Sequence, residues 1–197
     1  MSSIYSCGPV PAGLRTEEFI LRPIVAGDAE KDHGAVMETR EHLRLWERSS
    51  WPEDDFTVEA NREDLLELEK RHTDHRAFTY TVLSPDRTEC LGCVYIFPTG
   101  ASFLAKSTVT PVGHDKWAAV DVVVYFWVRQ TQMEKGLDKR LLAALRGWFA
   151  QEWMADTAVF VTNEKFTQQV DLFHRTDLNV KFELVEPGKP GKYLIFG

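Results

Sequence analysis

Cysteine is scarce in this sequence: Cys7, Cys90 and Cys93 are the three in 197 residues. An odd, low count excludes a disulfide framework and fits a reducing compartment. Cys90 and Cys93 form a C-x-x-C inside "ECLGCVY". A zinc site needs a second ligand pair at comparable spacing, and there is none. A redox pair needs a helix N-terminus to lower a thiol pKa. Here the pair sits in a strand-like stretch, where positions three apart point to opposite faces. Both cysteines therefore read as buried strand thiols.

Long apolar runs are missing too. The longest, Val122 to Val128, falls far short of the roughly 20 residues a membrane helix needs. The start, "MSSIYSCGPVPAGL", has no basic segment and no apolar block, so neither a secretory signal nor membrane attachment is expected. A cytoplasmic protein is the resulting expectation. Positive charge is in deficit: 23 Lys and Arg stand against 30 Asp and Glu, giving a net charge of −7 and a pI near 5.4. That excludes a nucleic-acid binder working by phosphate neutralisation. It is compatible with a cationic or amine substrate. No G-x-S-x-G, Walker loop or dinucleotide fingerprint occurs. "HTDH" places His72 and His75 at a metal-compatible spacing without a third ligand nearby, so both read as solvated helix-end residues.

What is present suffices for one substantial core, since 44 % of the chain is hydrophobic. A short strand is predicted over Phe19 to Ile24. A helix follows from an N-cap at Asp28 to about Leu45, with Val36 and Met37 inward. "WERSSWPEDDF" breaks the pattern, and a second helix starts near Thr57 with Val58, Leu65, Leu66 and Leu68 as its apolar side. "AFTYTVLSPD" and "CLGCVYIFPTG" read as an antiparallel pair. Residues 100 to 116 have no clean period, and so long a connection is more often functional or mobile than idle. "KWAAVDVVVYFWV" is the most strand-like segment, and its continuous apolarity says both faces are covered. After "RQTQMEKG" comes the clearest helix, with Leu137, Leu141, Leu142, Leu145, Trp148, Phe149 and Trp153 in one stripe. "AVFVTN" is a buried strand, and Asn163 caps a helix whose inner face is Phe166, Val170 and Phe173. "VKFELVE", "PGKPG" and "KYLIFG" make a hairpin. The result is an α/β chain with one mixed sheet.

The order of elements and four stretches resemble the GNAT superfamily of acyl-CoA-dependent N-acetyltransferases. "LRPIVAGDAE" resembles its opening strand and helix, and "CLGCVYIFP" its third strand. "WVRQTQMEKGLDKRLLAALRGWF" resembles the fourth strand, cofactor loop and following helix without a gap. "VTN" before a helix resembles the fifth strand. The resemblance implies a single domain over 19–197 behind an N-terminal arm, 1–18. It implies a mostly antiparallel sheet of about seven strands flanked by about four helices, splayed between the fourth and fifth strands. It further implies acetyl transfer from acetyl-CoA to an amine of a small molecule or protein N-terminus, by direct attack in a ternary complex, without a metal. A homodimer is compatible with it.

Carried over residue by residue, the resemblance assigns the cofactor to Met133, Glu134, Lys135, Gly136, Leu137, Asp138 and Lys139. It adds Asn163 for the pantetheine arm, and a backbone N–H at Trp127 or Val128 for the oxyanion. The family's loop places a basic or amide residue and two small residues at Met133, Gly136 and Asp138, and only Gly136 agrees. Asp138 either caps the helix or repels a phosphate, and Lys135, Lys139 and Arg140 either offset it or form a solvated face. The usual base position falls near Val123. Asp121, two residues earlier on the same strand face, is the candidate base or a structural carboxylate. The usual acid, a tyrosine, is replaced by Phe173, and the adjacent His174 reads as a surface residue. Trp46 and Trp51, with Tyr125, either line the acceptor pocket or pack the core. The departures at Met133, Asp138 and Phe173 also suit a non-catalytic protein of this fold that binds an acyl-CoA, another ligand or a partner.

Overall fold

The computed structural model describes residues 9–197; Cys7 lies outside them. The order is β1 (Leu14–Arg15), β2 (Ile20–Pro23), α1 (Ala29–Glu38), α2 (Arg40–Glu47), α3 (Val58–Thr73), β3 (Phe78–Leu83), β4 (Cys90–Phe97), α4 (Ser102–Lys106) and β5 (Thr108–Pro111). Then come β6 (Val122–Val128), α5 (Gln130–Met133), α6 (Leu137–Gln151), β7 (Ala158–Asn163), α7 (Thr167–His174), β8 (Val180–Val185) and β9 (Tyr193–Phe196). The strands form one open sheet in the order β1-β2-β3-β4-β6-β7-β9-β8-β5. Among the described residues only β6 and β7 run parallel.

Each face of the sheet carries its own core. Val122, Val124, Phe126 and Val128 of β6 pack with Leu141, Leu145 and Phe149 of α6 and Phe173 of α7. The alternate residues Val123, Tyr125 and Trp127 pack with Val36 of α1, Leu43 of α2 and Leu65 of α3. Period-two alternation makes this division, and it is why β6 reads as a continuous apolar run. The α6 stripe is buried as its spacing predicts. Truncating Leu141 there would cost about 2–5 kcal/mol.

The described residues hold more elements than the sequence predicts, and the additions are short. Thr108–Pro111 becomes a strand because the outer edge of β8 offers it a partner. Leu14–Arg15 pairs with β2 in the same way. The predicted first helix is divided at Thr39, whose Oγ1 accepts the Gln130 N–H at 3.0 Å. Glu38 beside it binds Arg129 at 2.6 Å, so the division docks the α1–α2 corner onto the start of the cofactor-type loop. Asp28 stands at the α1 N-cap without a side-chain capping bond. Its carboxylate instead takes a two-pronged contact from Arg22 at 2.6 and 2.7 Å. The helix expected from near Thr57 is α3, and Thr57 caps it by accepting the Ala60 N–H. Leu66, expected inward, is 53 % exposed.

Two further expectations are corrected. Leu91 is an extra residue in β4, because Cys90 pairs with Leu83 while Gly92 pairs with Val82. This bulge resets the alternation, so Cys90 and Cys93 share one face. Gly92 is required there, since a Cβ would meet the Trp127 carbonyl oxygen at 2.2 Å. His72 is half-buried between Phe78 and Tyr80 rather than solvated, and its Nδ1 accepts the Thr79 N–H at 3.2 Å. Burial lowers its pKa.

Candidate active site

The parallel seam is the feature that positions the site. Pairing of β6 with β7 ends at Val124↔Phe160, although the strands continue to Val128 and Asn163. Beyond that point the Phe126 carbonyl accepts from Gln169 Nε2 of α7 at 3.0 Å. The two strands therefore open toward their C-terminal ends. Three buried polar atoms near this opening have no partner among the described residues: Thr162 Oγ1, Asn163 Nδ2 and Gln169 Oε1. Asn163 Oδ1 accepts the Lys165 N–H, and its carbonyl receives the Phe166 N–H at the start of α7. Unsatisfied buried donors and acceptors are costly, and a ligand bearing amides would satisfy them.

On the α6–α7 side lies a cavity of about 580 Å³, lined by Met133, Glu134, Gly136, Asp138 and Lys139 and, across it, Gln168 and Arg175. The loop reaches it through a tight turn. Gly136 adopts φ +75°, where an added Cβ would sit 3.4 Å from Arg140 Nη1. Arg140 straps the loop, donating to the Lys135 carbonyl at 2.9 Å and to Glu18 at 2.7 Å. The N–H groups of Glu134, Lys135 and Gly136 are used within the turn. At the start of α6, Asp138 Oδ1 takes the Lys139 N–H at 2.8 Å, and Oδ2 accepts from Gln168 Nε2. Asp138 is thus a buried clasp between α6 and α7. Lys139 and Arg175 face the same cavity with no ion-pair partner among the described residues.

The remaining residues of the cofactor expectation fall elsewhere. Lys135 is exposed outside this cavity, and Leu137 and Val128 are core. The Trp127 side chain lies on the opposite face, its Nε1 donating to Tyr95 Oη at 3.2 Å.

On the other face a cavity of 440 Å³ brings together Trp46, Trp51 and Tyr125. Tyr125 is the first β6 residue beyond the last β7 pairing. Its Oη is buried without a partner, as is Trp46 Nε1. Trp46 meets the Tyr125 ring edge-on at 6.1 Å. Sequence reasoning missed four further lining groups: Asp32, Glu47, Glu186 and Tyr193. Lys189 Nζ lies 2.7 Å from Glu47 and 3.4 Å from Glu186, and Tyr193 Oη donates to the Glu47 carbonyl at 2.9 Å. These contacts tie the β8–β9 turn to the end of α2. Burial pushes the Glu186 carboxyl up, as it does the Tyr125 hydroxyl, which the charges of Glu186, Tyr193 and Glu47 push further. No motif marks these residues, because they come from four separate elements.

Asp121 lines neither cavity. Its Oδ2 accepts the Thr157 N–H at 2.9 Å and its own N–H donates to the Thr157 carbonyl, fastening the beginnings of β6 and β7 together. Phe173 is fully buried against Phe126 and Phe196, and His174 is exposed.

No family model and no curated protein sequence matches the chain. Solved structures do. A ribosomal-protein-S5-alanine acetyltransferase from Vibrio fischeri is 16 % identical, with 94 % of this chain and 95 % of that chain covered and a TM-score of 0.65. The microcin C7 self-immunity acetyltransferase MccE, in complex with acetyl-CoA and AMP, is 12 % identical, with 95 % and 96 % covered and a TM-score of 0.68. RimL, a ribosomal L7/L12 α-N-protein acetyltransferase in complex with coenzyme A, is 14 % identical, with 94 % of each chain covered and a TM-score of 0.65. The chain has the fold of the GNAT acetyltransferase superfamily. Among the described residues no helix is long and apolar enough to cross a membrane.

Proposed function

We propose that the protein is an acetyl-CoA-dependent N-acetyltransferase acting on a small amine by direct attack in a ternary complex. The observation that carries this reading is the opened seam between β6 and β7, with one cavity against α6 and α7 and another on the face that presents Tyr125. Acetyl-CoA would supply the acetyl group as a thioester. The residues present fit its chemistry: Lys139 and Arg175 suit phosphates, and the orphaned Thr162, Asn163 and Gln169 groups suit the amides of its arm.

The reaction forms an amide N–C bond and breaks a thioester C–S bond. The amine must lose a proton and the departing sulfur must gain one. We assign the first to Glu186, which lines the Tyr125 cavity and whose carboxyl burial raises. We assign the second to Tyr125 Oη, a buried donor without a partner among the described residues. Trp46 and Trp51 give the amine an aromatic wall. Asp121 has no part in this scheme.

The test is thermal melting with acetyl-CoA, followed by thiol release over an amine panel. A ligand that binds only the native state must raise the melting temperature. One observation favours a second reading, a non-catalytic binder: the Asp138 clasp puts a carboxylate where the fold usually receives a phosphate. Absence of any shift at millimolar acetyl-CoA would select that reading.

A further inference from the structure

Asp28 and Asp32 are four residues apart and both buried. Asp28 is held by Arg22 at 2.6 Å and Lys31 at 3.2 Å. Asp32 has no ion pair among the described residues. Its Oδ2 accepts from Asn61 Nδ2 at 3.0 Å and its Oδ1 from the Cys90 thiol at 3.7 Å. His33, the next residue in the chain, turns its Nε2 to the Phe56 carbonyl at 2.7 Å. Asp32 lines the Tyr125 cavity. An unpaired buried carboxylate is expensive, and a cation arriving in the cavity would offset that cost.

The whole cavity is biased the same way. Asp32, Glu47, Asp64, Glu67 and Glu186 line it against Arg71 and Lys189. Both cations are already engaged, Arg71 by Glu67 at 2.8 Å and Lys189 by Glu47 at 2.7 Å. The two polar ends lie well apart. Asp32 touches Cys90, whereas Tyr125 pairs with Tyr95 five residues along β4, on the order of 15 Å of strand. Apolar and aromatic side chains, Val36, Trp46 and Tyr95 among them, fill the interval. The cavity is also small, and the β8–β9 turn is fastened over it by Lys189 to Glu47 and by Arg48 to the Pro190 carbonyl at 3.4 Å. These limits favour a small molecule over the terminus of a folded protein.

We infer that the acceptor is a linear dication, with the amine to be acetylated beside Tyr125 and a second ammonium group held by Asp32 at the far end of the cavity. The inference rests on the acetyltransferase reading for the fate of the first amine. Its binding half stands apart from that reading and is tested without acetyl-CoA.

Calorimetric titration would compare 1,8-diaminooctane, 1,4-diaminobutane and octylamine at pH 7.5. The diaminooctane is expected to bind about ten-fold more tightly than octylamine, as one added charge-assisted contact supplies. Asp32→Asn should bring the two within about three-fold of each other while leaving octylamine affinity unchanged. Should that variant fail to fold, Asn61→Ser, which removes the amide that donates to Asp32 and to the Ala29 carbonyl, is expected to weaken diaminooctane and spare octylamine. Equal binding of diamine and monoamine overturns the inference, as does retention of the preference in Asp32→Asn. So does tighter binding by a peptide with a free N-terminus than by any diamine. If diamines bind selectively but thiol release is absent, the acetyltransferase reading fails and the dication site survives. If monoamines turn over and diamines show no preference, the reverse holds.

Discussion

The two cavities beside the opened seam are built in contrasting ways. The one between α6 and α7 is assembled by neighbours in sequence: Met133, Glu134, Gly136, Asp138 and Lys139 form one wall, and α7 with the residues just after it the other. The Tyr125 cavity draws on α1, α2, α3, β4, β6 and the β8–β9 turn. The first is a local structure whose donors follow from a turn and a helix start. The second is a tertiary structure whose charges meet only after the sheet has formed. The first sets Lys139 and Arg175, without ion-pair partners among the described residues, beside Glu134, Asp138 and Asp171; the second sets the already paired Arg71 and Lys189 against Asp32, Glu47, Asp64, Glu67 and Glu186. The two sides of β6 thus differ in how their cations are held: Lys139 and Arg175 are unpaired among the described residues, whereas Arg71 and Lys189 are engaged by carboxylates.

The sharpest way to break this contrast is through pH. Burial raises the Asp32 carboxyl from its ordinary 3.8 to about 6, with the Asp28 charge pushing the same way and Asn61, Cys90 and His33 opposing. A carboxyl raised on folding contributes stability below its unfolded pKa and loses it as pH rises through the folded value. Between pH 4 and 6.5, wild type should lose roughly 2 kcal/mol relative to Asp32→Asn, read by urea unfolding across that range. Asp28 carries the opposite sign. Burial pushes it up, but Arg22 and Lys31 hold it below 3.8, so its contribution is lost only as pH falls through that lower value. A flat difference between wild type and Asp32→Asn would remove the unpaired carboxylate from the contrast.

Next in size is Tyr125→Phe. It removes one oxygen from a buried ring and should lower kcat by roughly 100-fold while leaving the acetyl-CoA dissociation constant unchanged. Equal loss in both would place Tyr125 in binding rather than proton supply. On the other side, Lys139→Ala and Arg175→Ala should each weaken acetyl-CoA by up to about ten-fold, with the effect shrinking at high salt. The smallest expected effect is Asp138→Asn. The amide oxygen can still accept the Lys139 N–H, but the charge is gone, so acetyl-CoA should bind about three-fold more tightly. Weaker binding would make the clasp a positioning device rather than a tolerated obstacle.

Much of the fold was legible because its periodic patterns are strong. The α6 stripe, the continuous apolar run of β6 and the helix start near Thr57 each follow from a few adjacent residues. The failures have equally local causes. The extra residue at Leu91 reversed the facing of Cys90, and no pattern in "ECLGCVY" announces a bulge. Thr39 divides a helix because its hydroxyl is engaged by Gln130, 91 residues away. Thr108–Pro111 becomes a strand only beside the free edge of β8. Of the site, the loop, Gly136 and Asp138 were readable as local structure. Trp46, Trp51 and Tyr125 were named without their common cavity. Asp121 was singled out as the one charge in an apolar run, but its place at the start of β6 keeps it from both cavities.

The sequence by itself determined where the helices and long strands lie, which faces are apolar, and that a strand, a tight loop and an amphipathic helix follow one another at residues 122–151. Those are consequences of spacing, and spacing survives in one dimension. Tertiary structure alone decided that β6 and β7 part after Val124, that the Asp138 carboxylate meets Gln168, and that Asp32, Glu186 and Tyr193 share a cavity with Tyr125. Each of those depends on groups distant in the chain, whose separation becomes short only when both faces of the sheet are packed.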